Sequence, residues 1–189
     1  MRTRATSLLA AVIICGTSHA AYALTTRLSD GQQSLEIEWP EAEGWVIGHQ
    51  QDVGHTAIVE VVRPPETVHS WTQLGTMLMF RDDAGRWMGA HLDETVSRLF
   101  ESARARAREA RLDTRPERLS GPFDSRIFVI VGNQYPDGTS ETQVQLLVQG
   151  TNALYNIQRT QRTPGLDRQT VEAWVHFLQT ARVVSGQAP

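Results

Sequence analysis

Hydrophobic and polar residues alternate through the first half of the chain, and this alternation predicts β-strands. In residues 34–39 the apolar side chains Leu35, Ile37 and Trp39 recur at every second position, which is the period of a half-buried strand. Pro40 ends the strand because proline has no amide hydrogen to donate within a sheet. The same reasoning predicts two further strands at residues 44–50 and 55–62, joined by a turn at 52–54 and followed by prolines at positions 64 and 65.

The stretch VHSWTQLGTMLMF, residues 68–80, ends in a run of apolar side chains. An amphipathic helix is one interpretation, but Gly75 in its middle would cost a helix about 1 kcal/mol relative to alanine. We therefore predict a turn at residues 67–71 that leads into a strand at 72–80. Because apolar residues would lie on both faces of this strand, we interpret Trp71 and the residues after it as core. The alternative is the wall of a ligand cleft.

Two segments have the three- and four-residue spacing of apolar side chains that predicts an amphipathic helix. The first covers residues 90–111, with acidic residues near its start and arginines near its end, as the helix dipole favours. The second covers residues 168–183, with Asp167 as its N-cap and Trp174 on its buried side.

Between the two helices the sequence predicts three strands, at residues 123–135, 139–149 and 153–162. The connections are too short for a crossover helix, so these strands should form an antiparallel meander. The expected fold class is therefore α+β, with an antiparallel sheet of about six strands covered by two main α-helices. No internal repeat or long linker is visible, so residues 24–189 are expected to form a single domain.

Residues 1–23 have the features of a signal peptide. Arg2 and Arg4 precede a short apolar run at residues 7–17, and small residues stand before Leu24 where a signal peptidase would cleave. The apolar run is shorter than the roughly 20 residues that span a bilayer, and the mature chain is expected to have no transmembrane segment. Cys15 is preceded by a branched isoleucine rather than a small residue, which argues against lipidation. We therefore expect a periplasmic or secreted protein.

Removal of this segment changes the chemistry available to the chain. Cys15 is the only cysteine, so the mature protein has no disulfide, thiolate nucleophile or cysteine metal ligand. Its charged residues are 16 arginines, 18 less the two in the signal peptide, against 21 acidic residues, a net charge of −5. That balance makes nucleic acid an unsuitable partner.

Three segments together resemble PsbP-like domains and a group of small exported proteobacterial proteins of unknown role. They are the entry LEIEWPEAEGW, the segment HSWTQLGTMLMF and the ending VQGTNALYNIQRTQR followed by VEAWVHFLQTARVV. The resemblance implies an antiparallel sheet between helices. It implies no reaction, because members of this fold act mostly as assembly factors or binding modules. The function expected from it is that of a non-catalytic envelope protein without a cofactor, which binds an envelope protein partner.

The segment HQQDVGH offers one candidate metal site. His49, Asp52 and His55 are spaced by three residues, and imidazole with carboxylate suits zinc. The favoured interpretation is a polar hairpin turn, because no further strong ligand is visible. The sequence also contains no Gly-x-Ser-x-Gly elbow and no phosphate-binding glycine loop. The alternative functions are an envelope hydrolase with a site assembled from distant residues, and a metal-binding periplasmic protein that uses His49, Asp52 and His55.

Two sets of residues are candidates for partner binding. On a helix that reaches residue 111, Arg104, Arg108 and Arg111 would share one face, which could meet an acidic partner or anionic polymer. A solvated helix face is the favoured alternative. Tyr155 and Arg159 on the last predicted strand form the second set, because they could lie near the stretch around Trp71.

Overall fold

In the computed structural model of the protein, residues 23–81 and 91–185 are described. They form ten strands, two α-helices and a short 3-10 helix at Glu41–Glu43. The strands are β1 (Leu24–Ser29), β2 (Gln33–Trp39), β3 (Val46–Val53), β4 (Thr56–Val62), β5 (Gln73–Arg81), β6 (Glu109–Thr114), β7 (Ser125–Asn133), β8 (Glu141–Gln149), β9 (Ala153–Gln161) and β10 (Arg182–Ser185). The helices are α1 (Leu92–Arg106) and α2 (Arg168–Gln179).

The strands form two antiparallel sheets. The larger has seven strands in the order β3-β4-β5-β9-β8-β7-β6, and the smaller has three in the order β1-β2-β10. The expectation of an α+β fold with about six strands under two helices is therefore wrong, because the described chain is mostly β. Strands β1, β6 and β10, which are short and lie at sheet edges, were not predicted from the sequence. The meander of β7, β8 and β9 is confirmed.

One face of the seven-stranded sheet, here called the core face, packs against the three-stranded sheet and α2. Met77 and Met79 of β5 point to this face and have no solvent exposure. Gly75 of β5 lies directly under Trp39 of β2, and a side chain at this position would collide with the indole ring. The predicted strand and its buried residues are thus confirmed, and the glycine is required by close packing.

Trp71 does not belong to this core. It precedes β5, is half-buried, and stacks against Arg162, whose guanidinium carbon lies 4.5 Å from the centroid of the indole ring. The interpretation of Trp71 as a core residue is therefore wrong. The buried tryptophans of the core face are Trp39, Trp45 and Trp174.

The opposite face of the large sheet carries α1. Val96 of α1 packs with Phe128 and Ile130 of β7, all at most 4% exposed. The helix ends at Arg106 rather than at the predicted residue 111, because the residues that follow pair with β7 as β6. Backbone pairing at the sheet edge overrides the helical spacing of the alanines.

Helix α2 begins as predicted. The carboxylate of Asp167 accepts a hydrogen bond from the amide of Thr170 at 2.8 Å, which confirms the N-cap. Trp174 is buried on the core side, also as predicted. The helix ends at Gln179, and the residues that follow form β10, where Val183 pairs with Leu35 of β2.

The predicted signal peptide lies almost wholly outside the described residues, and β1 begins at Leu24. Among the helices in the described ranges, none has both the length and the apolar character needed to cross a bilayer.

Candidate functional site

Strand β3 forms an open edge of the seven-stranded sheet. It pairs only with β4 among the described strands, so the backbone groups of its outer side have no strand partner there. All eight of its residues are exposed. Strand β3 therefore lies outside the core, beside the partly buried strand β4, and its outer edge can be reached by another chain.

Apolar side chains are concentrated on this edge. Val46, Ile47 and Val53 are 42%, 47% and 59% exposed, and they are three of the four exposed large hydrophobic side chains in the described ranges. The fourth is Val184 on β10. Exposed apolar residues on the open edge of a sheet are a usual feature of interaction sites.

The edge at the other end of the sheet is different. Strand β6 places Glu109, Arg111 and Asp113 within six residues, and charges of this density discourage edge-to-edge pairing. Strand β3 carries a single carboxylate, Asp52, and beyond the bulge between Ile47 and His49 it pairs with β4 in regular register from His49 to Val53. Of the two edges of this sheet, β3 is the one suited to receive an added strand.

The base of the β3–β4 hairpin is held by a buried ion pair. Glu43 precedes β3, and its carboxylate accepts a hydrogen bond from the guanidinium of Arg159 on β9. The Arg159 side chain is only 6% exposed, and its guanidinium carbon lies 4.5 Å from the centroid of the Trp174 ring. Burial lowers the pKa of Arg159, and the adjacent Glu43 carboxylate opposes this effect.

Trp45 and Arg63 complete this cluster. Arg63 and Arg159 each place a guanidinium carbon about 5.5 Å from the Trp45 ring centroid, at 5.5 and 5.4 Å. Arg63 also lies 3.9 Å from the Glu43 carboxylate. Because Trp45 directly precedes β3 and Arg63 directly follows β4, the cluster fixes the end of the hairpin that lies opposite its turn.

A second ion pair holds the tip of the hairpin. Arg81 at the end of β5 donates two hydrogen bonds of 2.6 Å to the Asp52 carboxylate, and a third of 2.7 Å to the carbonyl of Gly54. These hydrogen bonds hold the pKa of Asp52 below its usual range. The exposed strand is therefore fixed at both ends, which reduces the entropy lost when a partner binds.

The residues of the predicted metal site do not converge. Paired residues of neighbouring strands share a face. Asp52 pairs with Ala57, which faces the core, whereas His49 pairs with Glu60 and lies on the opposite face. Asp52 is also engaged by Arg81. Throughout residues 23–81 and 91–185, no three His, Cys, Asp or Glu side chains are grouped so that they could hold a metal ion.

The structure also separates the arginines predicted to form a stripe. Arg104 lies on α1 and pairs with Glu101, and Arg108 follows the helix and donates to the side chain of Gln134. Arg111 lies on β6 opposite Val131, whose side chain faces the core side of the sheet. The three arginines therefore share no face.

Tyr155 and Arg159, the second predicted set, are both in the interior. Tyr155 has no exposed surface, and its hydroxyl donates to the carbonyl of Gln33 at 3.4 Å. Burial and the nearby Asp30 raise the pKa of its phenol above the usual range. In this conformation a partner could contact neither side chain directly, and Arg159 acts on the edge strand through Glu43.

The chain shares the overall architecture of PsbP-like proteins. It aligns with cyanobacterial PsbP (CyanoP) from Synechocystis at 12% identity and a TM-score of 0.52, covering 90% of this chain and 99% of that one. It aligns with the Ran-binding protein Mog1p from Saccharomyces cerevisiae at 9% identity and a TM-score of 0.53, covering 88% and 97%. The predicted PsbP-like fold is thus confirmed. No model of a protein family and no curated protein sequence matches the chain.

Proposed function

We propose that this chain is an exported, non-catalytic binding or assembly module of the cell envelope, which binds an extended segment of a protein partner along β3. The observation that carries the proposal is the open edge of β3, with exposed Val46, Ile47 and Val53. An added strand would form main-chain hydrogen bonds with this edge, and its side chains would pack against these apolar residues.

Two further features support strand addition. The β3–β4 hairpin is fixed at its base by Glu43 and Arg159 and at its tip by Asp52 and Arg81, so the edge is preorganised. The solved structures of the same fold include a protein whose name describes it as Ran-binding, which is consistent with a fold that serves protein recognition. Export rests on the predicted cleavage site before Leu24, the residue at which β1 begins.

Charged substitutions on the exposed edge test the proposal. Ile47→Lys combined with Val53→Lys places two cations on β3, a usual protection of natural sheet edges against pairing. Because both side chains are about half exposed, the double variant should keep its fold and its unfolding midpoint. In a crosslinked pull-down from the envelope fraction, it should recover far less partner than the wild type.

Val184→Lys is the matched control. It introduces the same charge at the one exposed large apolar side chain that the described residues place outside β3. Recovery of the partner by the β3 double variant at the wild-type level would contradict the proposal, and so would an equal loss in Val184→Lys.

A further inference from the structure

A separate apolar pocket lies on the side of the large sheet that carries α1. Helix α1 packs mainly on β6 and β7, and the described residues leave a cleft between its other side and the strands β5 and β9. Leu78 and Phe80 of β5 pair with Asn156 and Leu154 of β9, so these four side chains form the floor on one face. The pocket has a volume of about 200 Å³.

The lining of this pocket is almost entirely apolar. Leu99 of α1 and Leu147 of β8 complete the hydrophobic surface around the floor. For comparison, an engineered apolar cavity of about 150 Å³ stays dry and binds benzene. The pocket is therefore large enough to take an apolar group such as an alkyl chain.

Four of the side chains around the pocket are polar: Thr95, Arg98, Asn156 and Gln158. Arg98 lies one turn from Thr95 and adjacent to Leu99 on the same helix. Its ion pair with Glu94, at 3.9 Å, joins two side chains that are 73% and 61% exposed. An ion pair this exposed contributes little to the stability of the fold. The guanidinium can therefore leave Glu94 and bind a ligand anion with little loss of stability.

Two carboxamides form the polar end of the floor. Gln158 donates to the side chain of Asn156, which in turn donates to Gln145 at 3.2 Å, and Gln145 donates to Gln143 at 2.7 Å. This chain of amides satisfies the buried polar groups beside the pocket and fixes their orientation. The pocket thus joins an apolar interior to one exposed cation, Arg98.

We propose that this pocket binds the alkyl chain of a free fatty acid, with Arg98 pairing to the carboxylate at its mouth. The shape of the site and its charge point to the same ligand: an apolar lining takes the chain, and the exposed guanidinium takes the single negative charge. This site is independent of the β3 edge, so either proposal can fail without the other.

Calorimetric titration of the purified mature protein tests the proposal. The ligands are saturated carboxylates of six, eight, ten and twelve carbons, each kept below its micelle concentration. Affinity should rise about fourfold for each buried methylene until the pocket is full. Arg98→Gln should weaken carboxylate binding by about two- to fivefold and should leave the alcohols of the same chain lengths unaffected.

Leu99→Trp fills the pocket and should abolish binding of both carboxylates and alcohols. Thr95→Phe, which narrows the same pocket from the next turn, replaces it if the first variant does not fold. Absence of saturable binding to wild-type protein would overturn the proposal. Binding that persists in the Leu99→Trp variant would also overturn the proposal, and so would an affinity that does not change with the chain length of the ligand.

Discussion

The buried pair of Glu43 and Arg159 gives the sharpest stability prediction. Glu43→Gln removes the carboxylate and leaves Arg159 as a cation whose side chain is only 6% exposed. Its remaining polar contact is the Gln73 side chain at 3.3 Å, together with the faces of the surrounding aromatic rings. Removing one partner of a buried ion pair typically costs about 3–5 kcal/mol. We expect about 3 kcal/mol, because these contacts compensate in part.

The reverse substitution should cost less. Arg159→Met keeps an unbranched apolar stem against Trp174 and leaves Glu43, which is 27% exposed and has Arg63 at 3.9 Å. The carboxylate is therefore hydrated and partly paired, and we expect a loss of about 1–2 kcal/mol. Replacing both partners removes both charges, so the double variant should be more stable than Glu43→Gln alone.

Urea unfolding of the wild type, the two single variants and the double variant measures these differences. With a slope of about 2 kcal/mol/M, Glu43→Gln should lower the midpoint by about 1.5 M without changing the slope. The reasoning fails if Glu43→Gln is less destabilising than Arg159→Met. It also fails if the double variant loses the sum of the two single effects, because the residues would then be energetically independent.

Three other predictions follow from the described contacts. Trp174→Ala, at a side chain 4% exposed, should cost about 3–5 kcal/mol. Trp71→Ala, at a half-buried ring stacked on Arg162, should lower the free energy of unfolding by about 1 kcal/mol in the same urea experiment. Equal losses in the two variants would contradict the placement of Trp174 in the core and of Trp71 outside it. The pair of Asp52 and Arg81 should persist above the unfolded-state carboxyl pKa of about 3.9 and be lost as the pH falls through the lower folded-state value. The protection factors of amides at the hairpin tip, taken relative to the intrinsic exchange rate at each pH, should then fall on acidification, whereas Asp52→Asn should show low protection already at neutral pH. Intact-mass measurement of exported protein should give an N-terminus at Leu24, and a mass that retains Cys15 would contradict processing at this site.

Hydrophobic periodicity predicted the strands that bury one face. Strand β2 alternates apolar and polar residues, and its apolar residues Leu35, Ile37 and Trp39 are at most 1% exposed. The same signal was misleading at residues 107–111, where Ala107 is the extended C-cap of α1 and Ala110 belongs to β6. An edge strand with few buried side chains has no strong period, and its structure depends on the neighbouring strand.

The candidate site was harder to predict for a related reason. Strand β3 was predicted as a strand, but the sequence of one segment does not show which strand lies at a sheet edge. The polar run from His49 to Asp52, on both faces, was the available signal. The ion pair of Glu43 and Arg159 joins residues separated by 116 positions, and only the assembled sheet brings them together.

Site-specific photo-crosslinking tests the central claim most directly. A photoreactive amino acid replaces Gln51, which lies on β3 and is exposed, or Arg104 on the exposed surface of α1, in protein exported by its host cell. Our account predicts a discrete crosslinked protein from position 51, no such product from position 104, and loss of the product when Ile47→Lys and Val53→Lys are added. Crosslinking to the same protein from position 104 but not from position 51 would contradict it.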